Sequence, residues 1–218
     1  MCGRYQTPLD IKKIEEAFDI KIDKKLYKTN YNAAPGQVLP LITNNIPDQL
    51  QYFRWGLVPH WSKDEAIGYK MINARIETLK EKPSFKSLVD AKRCAVITSG
   101  YYEWQKNDSK TKTPMRIYLN DEKIFTFAGL WTEWKNPDGQ IIPTFTIITT
   151  EAYSAIKNIH ERMPVMLSPE IARQWIINEI ELEQLQKEMI SQKEIHFHAV
   201  STDVNSYRNN YKELLDRV

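Results

Sequence analysis

The chain has 218 residues, 42% hydrophobic and 27% charged, the proportions of a globular protein able to bury a core without disulfides or a structural metal. Its 30 Lys+Arg and 28 Asp+Glu leave a formal charge of +2, which excludes a polybasic tail or histone-like coat and still allows a local basic groove. No apolar run approaches the ~20 residues that span a bilayer, and the opening MCGRYQTPLD lacks the basic and apolar regions of a signal peptide, so a cytoplasmic protein without a membrane partner is predicted.

Thr7-Pro8-Leu9-Asp10 reads as a helix start, with Thr7 as N-cap and Pro8 at the first helical position. Ile11, Ile14, Ala17 and Phe18 then mark one buried face. Strands are predicted over Gln37–Ile42, Leu50–Trp55, Cys94–Thr98, Met115–Leu119, Ile124–Leu130, Thr144–Thr149 and Ile195–Val200. Asn120-Asp121 and Asn136-Pro137-Asp138-Gly139 are the predicted hairpin turns. Helices are predicted after Thr150, after Ser168-Pro169, and through Glu181–Ile190, where Leu182, Leu185 and Met189 share a face. Consecutive strands with peripheral helices point to an α+β fold with a largely antiparallel sheet. With no repeat and no Gly/Ser linker, residues 1–218 are expected to form one domain. No βαβ alternation and no GxGxxG or GxxxxGK[ST] motif supports a nucleotide-binding sheet. The lack of a long heptad pattern predicts a monomer.

Two cysteines are too few for a disulfide framework or a four-thiolate zinc site. Cys94 lies in the apolar run Cys94-Ala95-Val96-Ile97 and is expected to be a core thiol. Cys2 directly follows the initiator Met. A small second residue lets that Met be removed, leaving an amine and a thiol two carbons apart. Their ordinary pKa values, about 7.7–8.0 and about 8.5, give both a reactive fraction near neutral pH. In one chemistry the thiol attacks an acyl group with the amine as base. In the other the amine condenses with an aldehyde and the thiol closes on the imine carbon, giving a five-membered thiazolidine. The bland alternative, a small residue beside a start codon, stays open.

Glu103 sits in Tyr101-Tyr102-Glu103-Trp104, where neighbouring rings would desolvate the carboxyl and suit it to acid/base work. A surface carboxylate at a strand end is the alternative. His160 is expected at the end of a helix containing Ala152, Ile156 and Ile159, where the dipole favours a protonated ring. A purely structural capping His has the same pattern. If Asn73-Ala74-Arg75 is extended, Asn73 and Arg75 share a face, and a guanidinium binds phosphate with two donors. A turn Asn and a solvated Arg are the alternatives. His196 and His198 alternate with apolar residues and lack a third ligand nearby, so they read as an exposed strand face rather than a metal site. Six Trp and 11 Tyr exceed ordinary core filling, and rings in loops suit base stacking.

Short motifs accumulate in a fixed order. They are Met1-Cys2-Gly3-Arg4-Tyr5, Tyr31-Asn32-Ala33-Ala34-Pro35, Arg54-Trp55-Gly56-Leu57-Val58-Pro59 with Trp61, Ile72-Asn73-Ala74-Arg75-Ile76-Glu77 and Arg93-Cys94. Gly100-Tyr101-Tyr102-Glu103-Trp104, Ala128-Gly129-Leu130-Trp131, His160-Glu161-Arg162-Met163-Pro164 and Val204-Asn205 follow. The set resembles the SRAP (SOS response-associated peptidase) family from Cys2 to about Asn209. The resemblance implies a compact α+β fold with a barrel-like, mainly antiparallel core. It implies covalent capture of abasic sites in single-stranded DNA by processed Cys2, as a thiazolidine, with slow reversal or lyase chemistry alongside. It further implies that Asn73 positions the reacting end, that Glu103 transfers protons, and that His160 helps open the sugar ring. By the same resemblance Arg4, Arg75 and Arg162 hold phosphates, while Trp55 and Trp104 shape the DNA groove. No cofactor or metal is implied, and the DNA association is cytoplasmic. Ile97-Thr98-Ser99-Gly100 replaces the family's Pro-Ala-Asp-Gly, so no role of that Asp carries over.

Two further readings stay open. One is a noncovalent reader of single-stranded or modified DNA, relying on aromatics and arginines alone. The other is an N-terminal-nucleophile thiol amidohydrolase or peptidase. The usual glutamine-binding segments are not apparent in the sequence.

Overall fold

The computed structural model describes residues 2–107, 111–120 and 123–218. Its strands, in chain order, are β1 (Arg4–Gln6), β2 (Val38–Thr43), β3 (Ile46–Trp55), β4 (Asn73–Arg75), β5 (Arg93–Thr98) and β6 (Gly100–Lys106). They continue with β7 (Lys112–Leu119), β8 (Phe125–Lys135), β9 (Ile141–Glu151), β10 (Arg162–Pro164), β11 (Met166–Leu167) and β12 (Ile195–Ala199). Among the described residues the α-helices are α1 (Ile11–Phe18), α2 (Pro83–Lys86), α3 (Pro169–Ile176) and α4 (Leu182–Leu185), all peripheral.

Strand β5 shows how the sequence builds the core. All six residues are buried, because successive side chains enter two different clusters. Cys94 and Val96 join Tyr5, Trp55, Phe127 and Phe145 on one side. Ala95 and Ile97 join Ala172, Trp175 and the α1 residues Ile14 and Phe18 on the other. The first cluster fills a barrel. Strand β9 pairs with β3, β3 with β2, β2 with β5, β5 with β8, and β8 returns to β9. Every step of that ring is antiparallel except β3–β9, joined at Arg54↔Thr144 and Trp55↔Phe145. β10 and β11 extend the barrel sheet, and β4 pairs in parallel with β9. A second, wholly antiparallel sheet has the order β1-β6-β7-β12.

Arg93 ties α3 to the barrel. Its guanidinium lies 4.0 Å from the Trp175 ring centroid and donates to the carbonyls of Val89, Trp175 and Ile180. Gly56 needs its glycine. Its φ is +118° and a Cβ there would come 2.7 Å from the Gly68 carbonyl oxygen, so the chain after β3 passes directly over the turn that leads to β4.

Several expectations need correction. The first helix starts at Ile11, with the Asp10 side chain accepting from the Lys12 amide. Thr7 is fully buried instead, exchanging hydrogen bonds with the backbone of Asn30. No helix follows Thr150: β9 runs on to Glu151, and residues 154–159 form consecutive turns. Those turns close the loop to β10, with Ala152 N–H donating to the Glu161 carbonyl, while Ile156 and Ile159 plug the barrel cluster. The helix predicted through Glu181–Ile190 shrinks to α4. The Asn136–Gly139 hairpin forms, with Gly139 at φ +85°. The Asn120-Asp121 turn lies partly outside the described residues, and β7 and β8 on either side of it belong to different sheets. Among the described residues no helix is long and apolar enough to cross a membrane.

Candidate functional site

The seam between the two sheets collects the chemistry-bearing residues. β1 pairs with β6 at Arg4↔Tyr102, and that register carried one residue further sets Gly3 opposite Glu103. Cys2 is thereby brought beside Glu103. On the barrel side, β9 holds β4 by Asn73↔Ile147 and Arg75↔Thr149, and holds β10 by Arg162↔Glu151. Asn73 closes the seam: its Nδ2 donates to the Cys2 carbonyl at 2.8 Å. Its buried Oδ1 has no hydrogen-bond partner among the described residues.

Cys2 is 0% exposed and its thiol lies 3.8 Å from the Arg4 carbonyl. Burial pushes the thiol well above its ordinary range, and the Glu103 charge adds to the effect. The group is therefore a thiol, not a thiolate, at rest. Glu103 is 3% exposed, and burial raises its carboxyl; the amino-terminal charge and the Trp104 amide oppose that rise. His160 is half-buried and shifted down, first by burial and then by the positive amino terminus. The expected protonated helix-end His is corrected to a ring that directly follows the turns of residues 154–159 and whose burial favours the neutral form. The Arg162 amide donates to His160 Nδ1 at 3.0 Å, so the neutral ring carries its proton on Nε2. Glu103, Trp104 and His160 line one cleft of about 470 Å³.

The arginines differ from one another. Arg162 makes a two-pronged pair with Glu77 at 2.7 and 2.9 Å and donates to the Thr149 carbonyl. Arg4 donates to Asn32 Oδ1 and to the carbonyls of Val204 and Asn205. Arg75 is exposed at the end of β4. Trp104 donates to Asn205 Oδ1 and is partly exposed. Trp55 is 1% exposed, its indole N–H on the Ile72 carbonyl and its ring packed against Tyr5 and Phe145. It supports the floor beneath Cys2 rather than offering a face for stacking. At the departure from the family pattern, the Thr98 hydroxyl bonds the Gln6 carbonyl and Ser99 accepts from the Gln6 amide. Both hold β1 to the junction between β5 and β6.

Sequence reasoning missed Asn32 and the lysines of the cleft. Asn32 is fully buried, and its amide donates to the carbonyls of Val204, Ser206 and Asn209. Lys106, Lys112 and Lys157 line the cleft. Only the hairpin register, Lys106↔Lys112, reveals that the first two are neighbours. His196 and His198 face Tyr118 in the second sheet. Among the described residues no three His, Cys, Asp or Glu side chains are placed to hold a metal ion.

The family model described as SOS response associated peptidase (SRAP) matches residues 1–207. Abasic site processing protein YoqW of Bacillus subtilis (strain 168) is 41% identical over 222 residues, covering 99% of each chain. Abasic site processing protein YoaM of the same organism is 42% identical over 222 residues, covering 99% of this chain and 98% of that one. The crystal structure of a protein from Bacteroides thetaiotaomicron superposes with a TM-score of 0.88 over 100% of both chains at 27% identity. By sequence and by fold, the chain belongs to the SRAP family.

Proposed function

We propose that this protein processes abasic sites in DNA by covalent capture, using Cys2 after removal of Met1. The observation that carries the reading is the Asn73 amide on the Cys2 carbonyl, which would hold the first residue of the processed chain beside Glu103, a carboxyl that shares its cleft with His160. The names of the relatives from Bacillus subtilis support the reading's coarser part, the processing of abasic sites.

The substrate is the ring-opened aldehyde of an abasic deoxyribose in single-stranded DNA. The thiol is held protonated by burial, so the amine attacks first. Its nitrogen bonds the aldehyde carbon, the carbonyl oxygen leaves as water, and an imine results. The sulfur then bonds the imine carbon while its proton passes to the nitrogen, closing a thiazolidine. One water is lost overall, and neither carbon nor sulfur changes oxidation state by an external agent. Glu103, with its raised carboxyl, relays protons to the departing water and from the thiol. His160 offers an Nε2–H to the sugar ring oxygen and thereby assists ring opening. Arg75, exposed at the end of β4, supplies positive charge to the backbone together with Arg4 and Arg162, and Trp104 borders the groove. Run backwards, the same steps release the site slowly, and elimination from the imine would give lyase activity.

The test is adduct formation with a single-stranded oligonucleotide bearing one abasic site. Cys2→Ala should abolish the denaturation-resistant adduct and retain most noncovalent binding. An adduct of wild-type yield from that variant would overturn the assignment.

A further inference from the structure

We propose that Lys106 and Lys112 form a seat for one of the two backbone phosphates flanking the abasic sugar, a reading that rests on the function proposed above. The two lysines stand directly opposite each other in the last pair before the turn of the β6–β7 hairpin. Both are exposed, and both line the cleft shared by Glu103 and His160. Directly opposed like charges on neighbouring strands repel and weaken the sheet. Among the described residues neither has a carboxylate within ion-pair distance.

Among the described residues the other cations near the cleft already have in-chain partners. Lys157 pairs with Glu151 at 2.7 Å, Arg162 pairs with Glu77, and Arg4 is spent on three in-chain oxygens. Among the described lysines that line the cleft, the two without a carboxylate partner are thus Lys106 and Lys112. Their reach is shown by two effects: the Lys112 charge favours ionised Glu103, and the Lys106 charge disfavours protonated His160. A phosphodiester is the anion that the proposed substrate must carry one bond beyond the reacting sugar. Seated between the two ammonium groups, it would remove their repulsion and fix the sugar beside Cys2. The seat differs in kind from Arg75, which lies across the seam at the end of β4.

The test compares crosslinking rates on three oligonucleotides: the all-phosphate abasic strand, and two with a single uncharged methylphosphonate on the 5′ or 3′ side of the abasic sugar. Wild-type protein should slow about tenfold on one of the two modified strands. The Lys106→Ala/Lys112→Ala variant should be slow on the all-phosphate strand and indifferent to that methylphosphonate, with its salt slope reduced by about 0.7 for one lost contact. Lys106→Arg/Lys112→Arg should retain the wild-type pattern, and unchanged melting temperatures should show that both variants fold. A double alanine variant that crosslinks at the wild-type rate, or that keeps the full methylphosphonate effect, would overturn the seat alone. No adduct from wild-type protein on any strand would overturn the parent reading and the seat with it.

Discussion

At the scale of single residues, the site sets two titrating groups against each other. Burial lifts Glu103 above the ordinary carboxylate range and, with the amino-terminal charge, lowers His160. Each shift makes folding depend on pH, with opposite signs. A raised carboxyl contributes stability while protonated and loses it as pH rises through its folded value. A depressed imidazole contributes stability above its unfolded value and loses it as pH falls toward its folded value. Glu103→Gln should therefore gain stability over wild type progressively as pH rises from about 5 to 7. His160→Gln should lose less stability than wild type as pH falls below about 6.5. Denaturant midpoints measured across that range check both, and a flat difference for either variant contradicts the assigned environment. Glu103→Gln should also slow crosslinking by about 10²-fold, the usual worth of a positioned proton relay.

At the scale of elements, short strands do the positioning. β1, β4 and β10 have three residues each, too few to show any periodicity, and β6 opens on a glycine and ends on polar residues. None of the four was foreseen as a strand, yet they present or adjoin Cys2, Asn73, Arg75, Glu103, Trp104 and Arg162. The long β-branched runs around Cys94–Thr98 and Thr144–Thr149 were legible because burial on one or both faces writes itself into composition. The segment after Thr150 misled for a related reason: Ala152, Ile156 and Ile159 have helical spacing but bury as the plug of a turn. That the candidate residues belong to one site was legible only through ordered motifs, since positions 2, 73, 103 and 160 are far apart in the chain. Asn32 extends this logic to the C-terminal segment. It binds Arg4 on β1 and three carbonyls between Val204 and Asn209. Asn32→Ala leaves those groups unpaired in a buried setting and should cost roughly 2–4 kcal/mol. Urea unfolding measures that loss, and a change below about 0.5 kcal/mol would mean that water replaces the amide fully.

At the scale of the whole molecule, the architecture explains how a near-neutral protein can offer a charged, reactive seam. The barrel supplies a packed floor, with the Trp55 ring against those of Tyr5 and Phe145 in the cluster that also holds Cys2. The second sheet supplies the carboxylate and the lysine hairpin. Strands from both sheets hold the groups in place, so most of the ordering cost falls on folding rather than on the proposed capture. The barrel-like, mainly antiparallel α+β architecture expected from the motifs is the one found, with the parallel β3–β9 and β4–β9 contacts as its mixed element. The most direct test of the central claim is the intact mass of the adduct between Met-processed protein and an abasic single strand, with and without borohydride. A closed thiazolidine predicts the summed masses less one water, unchanged by borohydride, and no adduct when residues precede Cys2. A mass that gains two hydrogens on reduction would identify an open imine, and an adduct formed with a blocked amino terminus would contradict the aminothiol account.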